Sequence, residues 1–285
     1  GTSMKRIKAR VNTRLLAKAD RLFTGTVEGR VIEILQNARR ASATKVEITN
    51  EAGVVTARDN GRGIEDFGKL LDLGGSGWDE AFEQSEDPAG VGLFCLGGRE
   101  VTIRSRGRKV SIGKDGWLGK PVAVLDDEEA VEGTVVRFRD EPWTRQVVGP
   151  NAVFCGMEVT VDGQDCEREP FVSDNAQLRS ELGCRIEAKG LGQMGKWHDD
   201  WRRRHFVGNV LVNFHGQVVS FEYRPVGDHS LGFLVELTGE PTGIRLMLPA
   251  RTQLVENEAF EALGGWTGGL REAGYGTCRP HSPVL

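Results

Sequence analysis

The sequence contains no run of about 18 apolar residues, so no membrane-spanning helix is expected. Its polar, basic start carries no apolar segment of the kind that directs secretion. Cysteine is sparse. The five cysteines (Cys95, Cys155, Cys166, Cys184 and Cys278) are scattered and odd in number. They form no Cys-x-x-Cys pair, and no Cys/His cluster has zinc-like spacing. Reduced, packed thiols in a cytoplasmic protein are expected. Charge of one sign is also lacking: 37 Lys and Arg against 41 Asp and Glu give a net charge of −4. Net charge therefore does not indicate nucleic-acid binding, although a local basic patch stays open. No Gly-x-x-x-x-Gly-Lys-[Ser/Thr] occurs, which excludes a P-loop NTPase. No internal repeat or low-complexity segment is visible.

What is present suits a globular chain. The 285 residues are 39% hydrophobic and 27% charged, enough for one large domain or two ordinary ones. Residues 5–22 read as a basic amphipathic helix. A second helix is expected from about Glu28 to Ala43, with Val31, Ile34, Leu35, Ala38 and Ala41 forming its apolar stripe. Glu33, Asn37 and Arg40 fall on a different stripe. Lys45–Thr49 and Val54–Asp59 read as strands joined by a hairpin turn, so Asp59 ends a strand. Phe67–Asp72 suggests a short helix. The stretch from Gly74 to Gly92 is long, glycine-rich and acidic. Strands follow at Glu100–Ser105, Lys109–Ile112, Val122–Leu125 and Gly133–Phe138. Helices interleaved with a mostly antiparallel sheet predict an α+β, two-layer α/β sandwich over residues 4–145. Pro142 to Pro150 reads as a boundary. A smaller α+β domain is expected over 150–285, with strands at Glu158–Val161, Cys184–Ala188, Val210–Phe214, Val218–Tyr223, Gly232–Leu237 and Ile244–Met247, and a late helix near Val255–Leu263.

Four elements carry chemistry. Glu33 and Asn37 are four residues apart and share a helix face. A carboxylate there could take a proton from an attacking water, and an amide oxygen suits Mg²⁺. The same pair would be ordinary on a solvent-facing helix surface. Asp59-Asn60-Gly61-Arg62-Gly63 sets a carboxylate beside two glycines that let a ligand ring approach the backbone. Asp59 could accept the exocyclic amino group of adenine. Asp-Asn-Gly is equally common turn chemistry. Gly90-Val91-Gly92-Leu93 opens a helix whose N–H groups could cradle phosphates, or is a plain surface loop. Thr134, after Gly133, could bond the adenine edge.

In this order and on these elements, the four resemble the ATPase family that unites bacterial-type gyrases, the Hsp90 chaperones, the histidine kinases and MutL (GHKL). The resemblance covers residues 5–140 and implies the Bergerat nucleotide-binding fold. It also implies ATP and Mg²⁺ as ligands, Glu33 as catalytic base, and Asn37 as metal ligand. Asp59, Gly61, Gly63, Gly90, Val91, Gly92, Leu93 and Thr134 would be nucleotide contacts. One departure stands out. The family's Asn-Ala-x-Asp-Ala run is here Asn37-Ala38-Arg39-Arg40-Ala41, which puts a positive charge beside the site.

The family also implies slow ATP hydrolysis coupled to lid closure, an ATP-dependent homodimer, a protein client, and a transducer-like second domain. That domain would supply a basic residue to the γ-phosphate, with Arg251 and Lys189 as candidates. Two other activities fit the same motifs: a nucleotide-sensing module without turnover, and a protein kinase acting on a partner. Trp197-His198-Asp199-Asp200-Trp201-Arg202-Arg203-Arg204-His205 reads as a structural or solvated segment, with nucleic-acid contact as the alternative.

Overall fold

The structure is a computed structural model describing residues 6–7, 25–70, 95–190, 209–214, 216–226, 231–237 and 277–280. It is mixed α+β, with two mostly antiparallel sheets and little helix. The chain divides into two compact units, the first ending at Glu169 and the second beginning at Pro170.

In the first unit the described residues form a nine-stranded sheet. Its strands are β1 (Arg6–Ile7), β2 (Lys45–Glu51), β3 (Val54–Asp59), β4 (Val101–Ser105), β5 (Arg108–Ile112), β6 (Val122–Asp126), β7 (Thr134–Arg139), β8 (Glu158–Val161) and β9 (Gln164–Asp165). They are ordered β1-β6-β5-β4-β7-β3-β2-β8-β9. Alternation puts one face of each strand inside: Val55 and Ala57, Val101 and Ile103, Val110 and Ile112, and Val136 and Phe138 are all buried. Helix α1 (Val27–Arg40) starts at Thr26, whose side chain accepts the Gly29 N–H at 3.2 Å. Glu28 in its first turn and Arg39 and Arg40 in its last complement the helix dipole. The other helical elements among the described residues of the unit are a single 3-10 turn at Phe67–Lys69, where a short helix was expected, a four-residue helix, α2 (Lys114–Trp117), and α3 (Arg145–Ala152); α1 packs against α3.

The expected boundary at 145–150 falls at 169/170 instead. β8 lies in the first unit because it pairs in parallel with β2, Lys45 opposite Glu158. The Pro142–Pro150 stretch is not a linker. It contains α3, whose Val148 and Ala152 are buried despite Gly149 and Pro150.

The second unit carries β10 (Gln177–Arg179), β11 (Cys184–Gly190), β12 (Asn209–Phe214), β13 (Gln217–Val226), β14 (Leu231–Leu237) and β15 (Thr277–Pro280). Their order is β10-β11-β14-β12-β13-β15, with β12 and β14 parallel. Its core joins Cys184, Ile186, Val210, Val212, Phe214, Val219, Phe233, Val235 and Leu237. Burial pushes the Cys184 thiol up to about 12 and raises Cys155 and Cys166 as well; Cys95, Cys155 and Cys184 are buried free thiols, and Cys166 is half-buried. The helix expected at 5–22 is corrected at its start, where Arg6 and Ile7 pair with Ala123 and Val122 of β6 as strand β1; the rest of that segment, the strand at 244–247, the helix at 255–263 and the Trp197–His205 segment lie outside the described residues.

Candidate functional site

A cavity of about 150 Å³ lies in the first unit. Ile34, Asn37, Ala38 and Ala41 line it from α1 and its C-terminus. Val46, Ala57, Ile103 and Val136 line it from the inward face of the sheet, and Asp59, Gly63, Ile64, Leu70 and Thr134 close one end. The wall is mainly apolar, with Asn37, Arg58, Asp59 and Thr134 as its polar residues. Three of the four sequence elements, the Asn37 helix, the Asp59 turn and Thr134, therefore meet at one place.

The sheet register explains why. Asp59, last in β3, stands directly opposite Thr134, first in β7. Asp59 Oδ1 accepts the Gly61 N–H at 2.8 Å, and its carboxylate also accepts the Thr134 N–H. Burial raises the Asp59 pKa above its ordinary value, and these two N–H bonds offset the shift only in part.

The glycines of the turn are fixed by contact. A Cβ on Gly61 would lie 2.7 Å from the Ala41 carbonyl oxygen at the end of α1. Gly63 has φ +81°, and a Cβ there would sit 2.6 Å from Ser105 Oγ. The Arg62 N–H donates to the Ala41 carbonyl at 2.8 Å, tying turn to helix. Asn60 Oδ1 accepts the Thr44 and Lys45 N–H groups at 2.8 and 3.0 Å, tying the turn to β2.

Ser105 is a site residue that the sequence pattern hid. It is fully buried at the end of β4, where alternation calls for an apolar side chain. Its hydroxyl accepts the Ile64 N–H at 2.9 Å and donates to the Gly133 carbonyl at 2.7 Å. Thr134 Oγ1 lies 3.3 Å away. One side chain thus clamps the glycine turn to the start of β7. The signal for it was the lone polar residue at an inward strand position.

Glu33 is 2% exposed, and Arg30 and Gln36 are buried as well. The solvent-facing alternative for the Glu33–Asn37 pair therefore does not hold: Asn37 is half-buried at the cavity, and Glu33 is inside the fold. Glu33 is not among the residues lining the cavity. Arg40 is half-buried. Gly90, Val91, Gly92 and Leu93 lie outside the described residues, as does Arg251, while Lys189 lies on β11 of the second unit. A Gly-x-Gly-x-x-Gly run, Gly190 to Gly195, is also present in the sequence. Its first glycine ends β11, whose partners β10 and β14 are both antiparallel. That is not the parallel strand-helix setting a dinucleotide fingerprint needs.

Among the described residues, no three His, Cys, Asp or Glu side chains converge as a metal site. No described helix is long and apolar enough to cross a membrane. No protein-family model matches the chain, and no curated protein matches it.

Proposed function

We propose that the first unit is a Mg²⁺-dependent ATP-binding domain of GHKL type, a two-layer α/β sandwich, and that the protein hydrolyses ATP slowly. The observation that carries this reading is the meeting of Asn37, Asp59 and Thr134 in one apolar cavity between α1 and the sheet. A volume of about 150 Å³ admits a single aromatic ring system and falls short of a pocket for a whole drug-sized ligand. The base end of the nucleotide fits there. Asp59 would accept the adenine amino group, Thr134 would contact the same edge, and Gly61 and Gly63 would give the ring access to backbone. The phosphates would then fall to the Gly90–Leu93 backbone.

Asn37 fits a single protein ligand for Mg²⁺. Its amide oxygen is a hard donor at the cavity wall, and Mg²⁺ commonly takes few protein ligands, with phosphates and water supplying the rest. The ion would neutralise phosphate charge. Glu33, one turn before Asn37, would take the proton from the attacking water. Nucleotide binding would close the Gly74–Gly92 segment, favour a homodimer and act on a protein client.

Titration of Mg²⁺-ATP should give saturable binding that Glu33→Ala keeps, while steady-state phosphate release falls to background. Release at the parent rate from Glu33→Ala contradicts the base assignment. The position of Glu33 off the cavity lining favours a second reading, a nucleotide-sensing module without turnover. Binding without phosphate release from the parent protein selects it, whereas labelled phosphate appearing on a protein selects a kinase.

A further inference from the structure

The face of the nine-stranded sheet opposite the cavity has a composition unlike that of the chain as a whole. The outward positions of the four adjacent strands β5, β4, β7 and β3 follow from the register. They are Lys109 and Ser111 on β5, Thr102 and Arg104 on β4, Val135, Arg137 and Arg139 on β7, and Val54, Thr56 and Arg58 on β3. Five of these ten are cationic and none is acidic, although the chain carries a net charge of −4. Arg58, Lys109, Arg137 and Arg139 are exposed. Among the described residues, no ion pair joins any of these four to a carboxylate; Arg104 alone is neutralised, by Asp127 at 2.6 Å and Glu129 at 3.0 Å. Acidic residues meet this face at Arg104, through Asp127 and Glu129, and at the flank, where Glu47 and Glu51 of β2 stand opposite Arg58 and Val54.

We propose that this face binds the phosphate backbone of a nucleic-acid duplex. Arg58, Arg137 and Arg139 would be the principal contacts, with Lys109 beside them. Interleaved Thr56, Thr102 and Ser111 hydroxyls suit phosphate oxygens. Three adjacent inter-strand gaps of about 4.8 Å make the strip about 14 Å across, so it can follow a backbone. No aromatic side chain stands at these positions, which disfavours stacking on single strands. The apolar members of these four strands are Val54 and Val135, and Val135 is buried; the one exposed large apolar residue beside them is Leu125, opposite Lys109 on β6, too little apolar surface for insertion into a lipid surface. Interior strands of a broad sheet cannot enter a groove as a two-stranded ribbon does, so recognition stays with phosphates and carries no sequence preference. Arg58 also borders the nucleotide cavity, whereas Lys109, Arg137 and Arg139 do not, so the face does not depend on the cavity being occupied.

The test is fluorescence anisotropy of a labelled DNA duplex of about 25 base pairs, titrated with the full chain over a range of salt. The parent should bind saturably at low salt. The triple variant Arg58→Ala, Arg137→Ala, Arg139→Ala should bind at least about tenfold more weakly, with a log-affinity against log-salt slope shallower by about 2.7, at about 0.9 for each phosphate no longer neutralised. Arg137→Gln alone should lower the slope by about 0.9, which keeps the test sound if the triple variant unfolds. Lys114→Ala, Lys120→Ala, Arg145→Ala together should leave binding nearly unchanged, and Asp59→Asn should leave it unchanged. No saturable binding at low salt overturns the proposal. So does equal loss in the Lys114/Lys120/Arg145 control, or binding to phosphatidylserine vesicles without binding to the duplex.

Discussion

Asp59 and Asp140 stand at opposite ends of α1 and of the β3–β7 pair, and the fold treats them in opposite ways. Asp140 follows the last residue of β7 and is nearly enclosed. Arg30 meets it in a two-pronged bond at 2.7 and 2.9 Å, Trp143 Nε1 donates at 3.0 Å, and Arg99 lies 3.7 Å away. Burial works to raise its pKa, but these partners together outweigh burial and hold the carboxyl below its ordinary range. Asp59 sits at the other end with two backbone donors, no cation within the cavity lining except Arg58 beside it in sequence, and a raised pKa. Asp140 is satisfied by the fold and acts as a joint. Asp59 is left under-compensated beside a cavity, as expected of a group whose partner comes from outside.

The comparison breaks most visibly at Asp140. Asp140→Ala leaves buried Arg30 with only the exposed Glu141, 3.7 Å away, as counter-charge and should cost about 3 kcal/mol of stability, read as a lower denaturation midpoint. The fraction that remains folded should bind Mg²⁺-ATP as the parent does. Asp59→Asn should do the reverse. It removes a charge-assisted bond to the ligand worth about 1.5–3 kcal/mol, about a 10- to 150-fold loss in ATP affinity, with the melting temperature unchanged or raised. Ser105→Ala lies between the two, because it orphans the Ile64 N–H and the Gly133 carbonyl together. A stability loss of about 1–3 kcal/mol should accompany a smaller loss of ATP affinity, seen by the same melting and titration experiments.

Acid titration sharpens the contrast with the smallest effect. The Asp140 carboxyl is lowered in the fold, so its stabilisation is present above the ordinary value of 3.8 and is lost as pH falls below it. The Asp59 carboxyl is raised, so its contribution is present below 3.8 and is lost as pH rises through the raised value. Denaturation midpoints compared across that range should show Asp59→Asn gaining on the parent as pH rises above 3.8. Asp140→Asn should lie furthest below the parent at neutral pH and approach it as the solution is acidified.

Much of the first unit was legible because its signals are local. Alternating apolar residues and two-residue turns located β2 to β7 to within a residue or two, and the helical stripe located α1. Order and spacing brought Asn37, Asp59 and Thr134 under suspicion before any tertiary contact was visible. Three features needed the tertiary structure. The parallel pairing of β8 with β2 is non-local and leaves no turn signature, so the unit boundary was placed about twenty residues early. α3 holds Gly149 and Pro150, which argue against a helix until packing of Val148 and Ala152 overrides propensity. Glu33 is a polar residue on a helix that proved buried around most of its circumference, a property of the neighbours rather than of its own spacing. The cationic sheet face was concealed by averaging, since a net charge of −4 says nothing about which side of a strand the arginines occupy.

The most direct test of the central claim is calorimetric titration of Mg²⁺-ATP into the purified chain and into Asp59→Asn, with both melting profiles recorded. The account predicts one saturable event in the parent and an affinity about 10- to 150-fold weaker in a variant that is at least as stable. Absence of saturable uptake by the folded parent, or equal affinity in the two proteins, contradicts it.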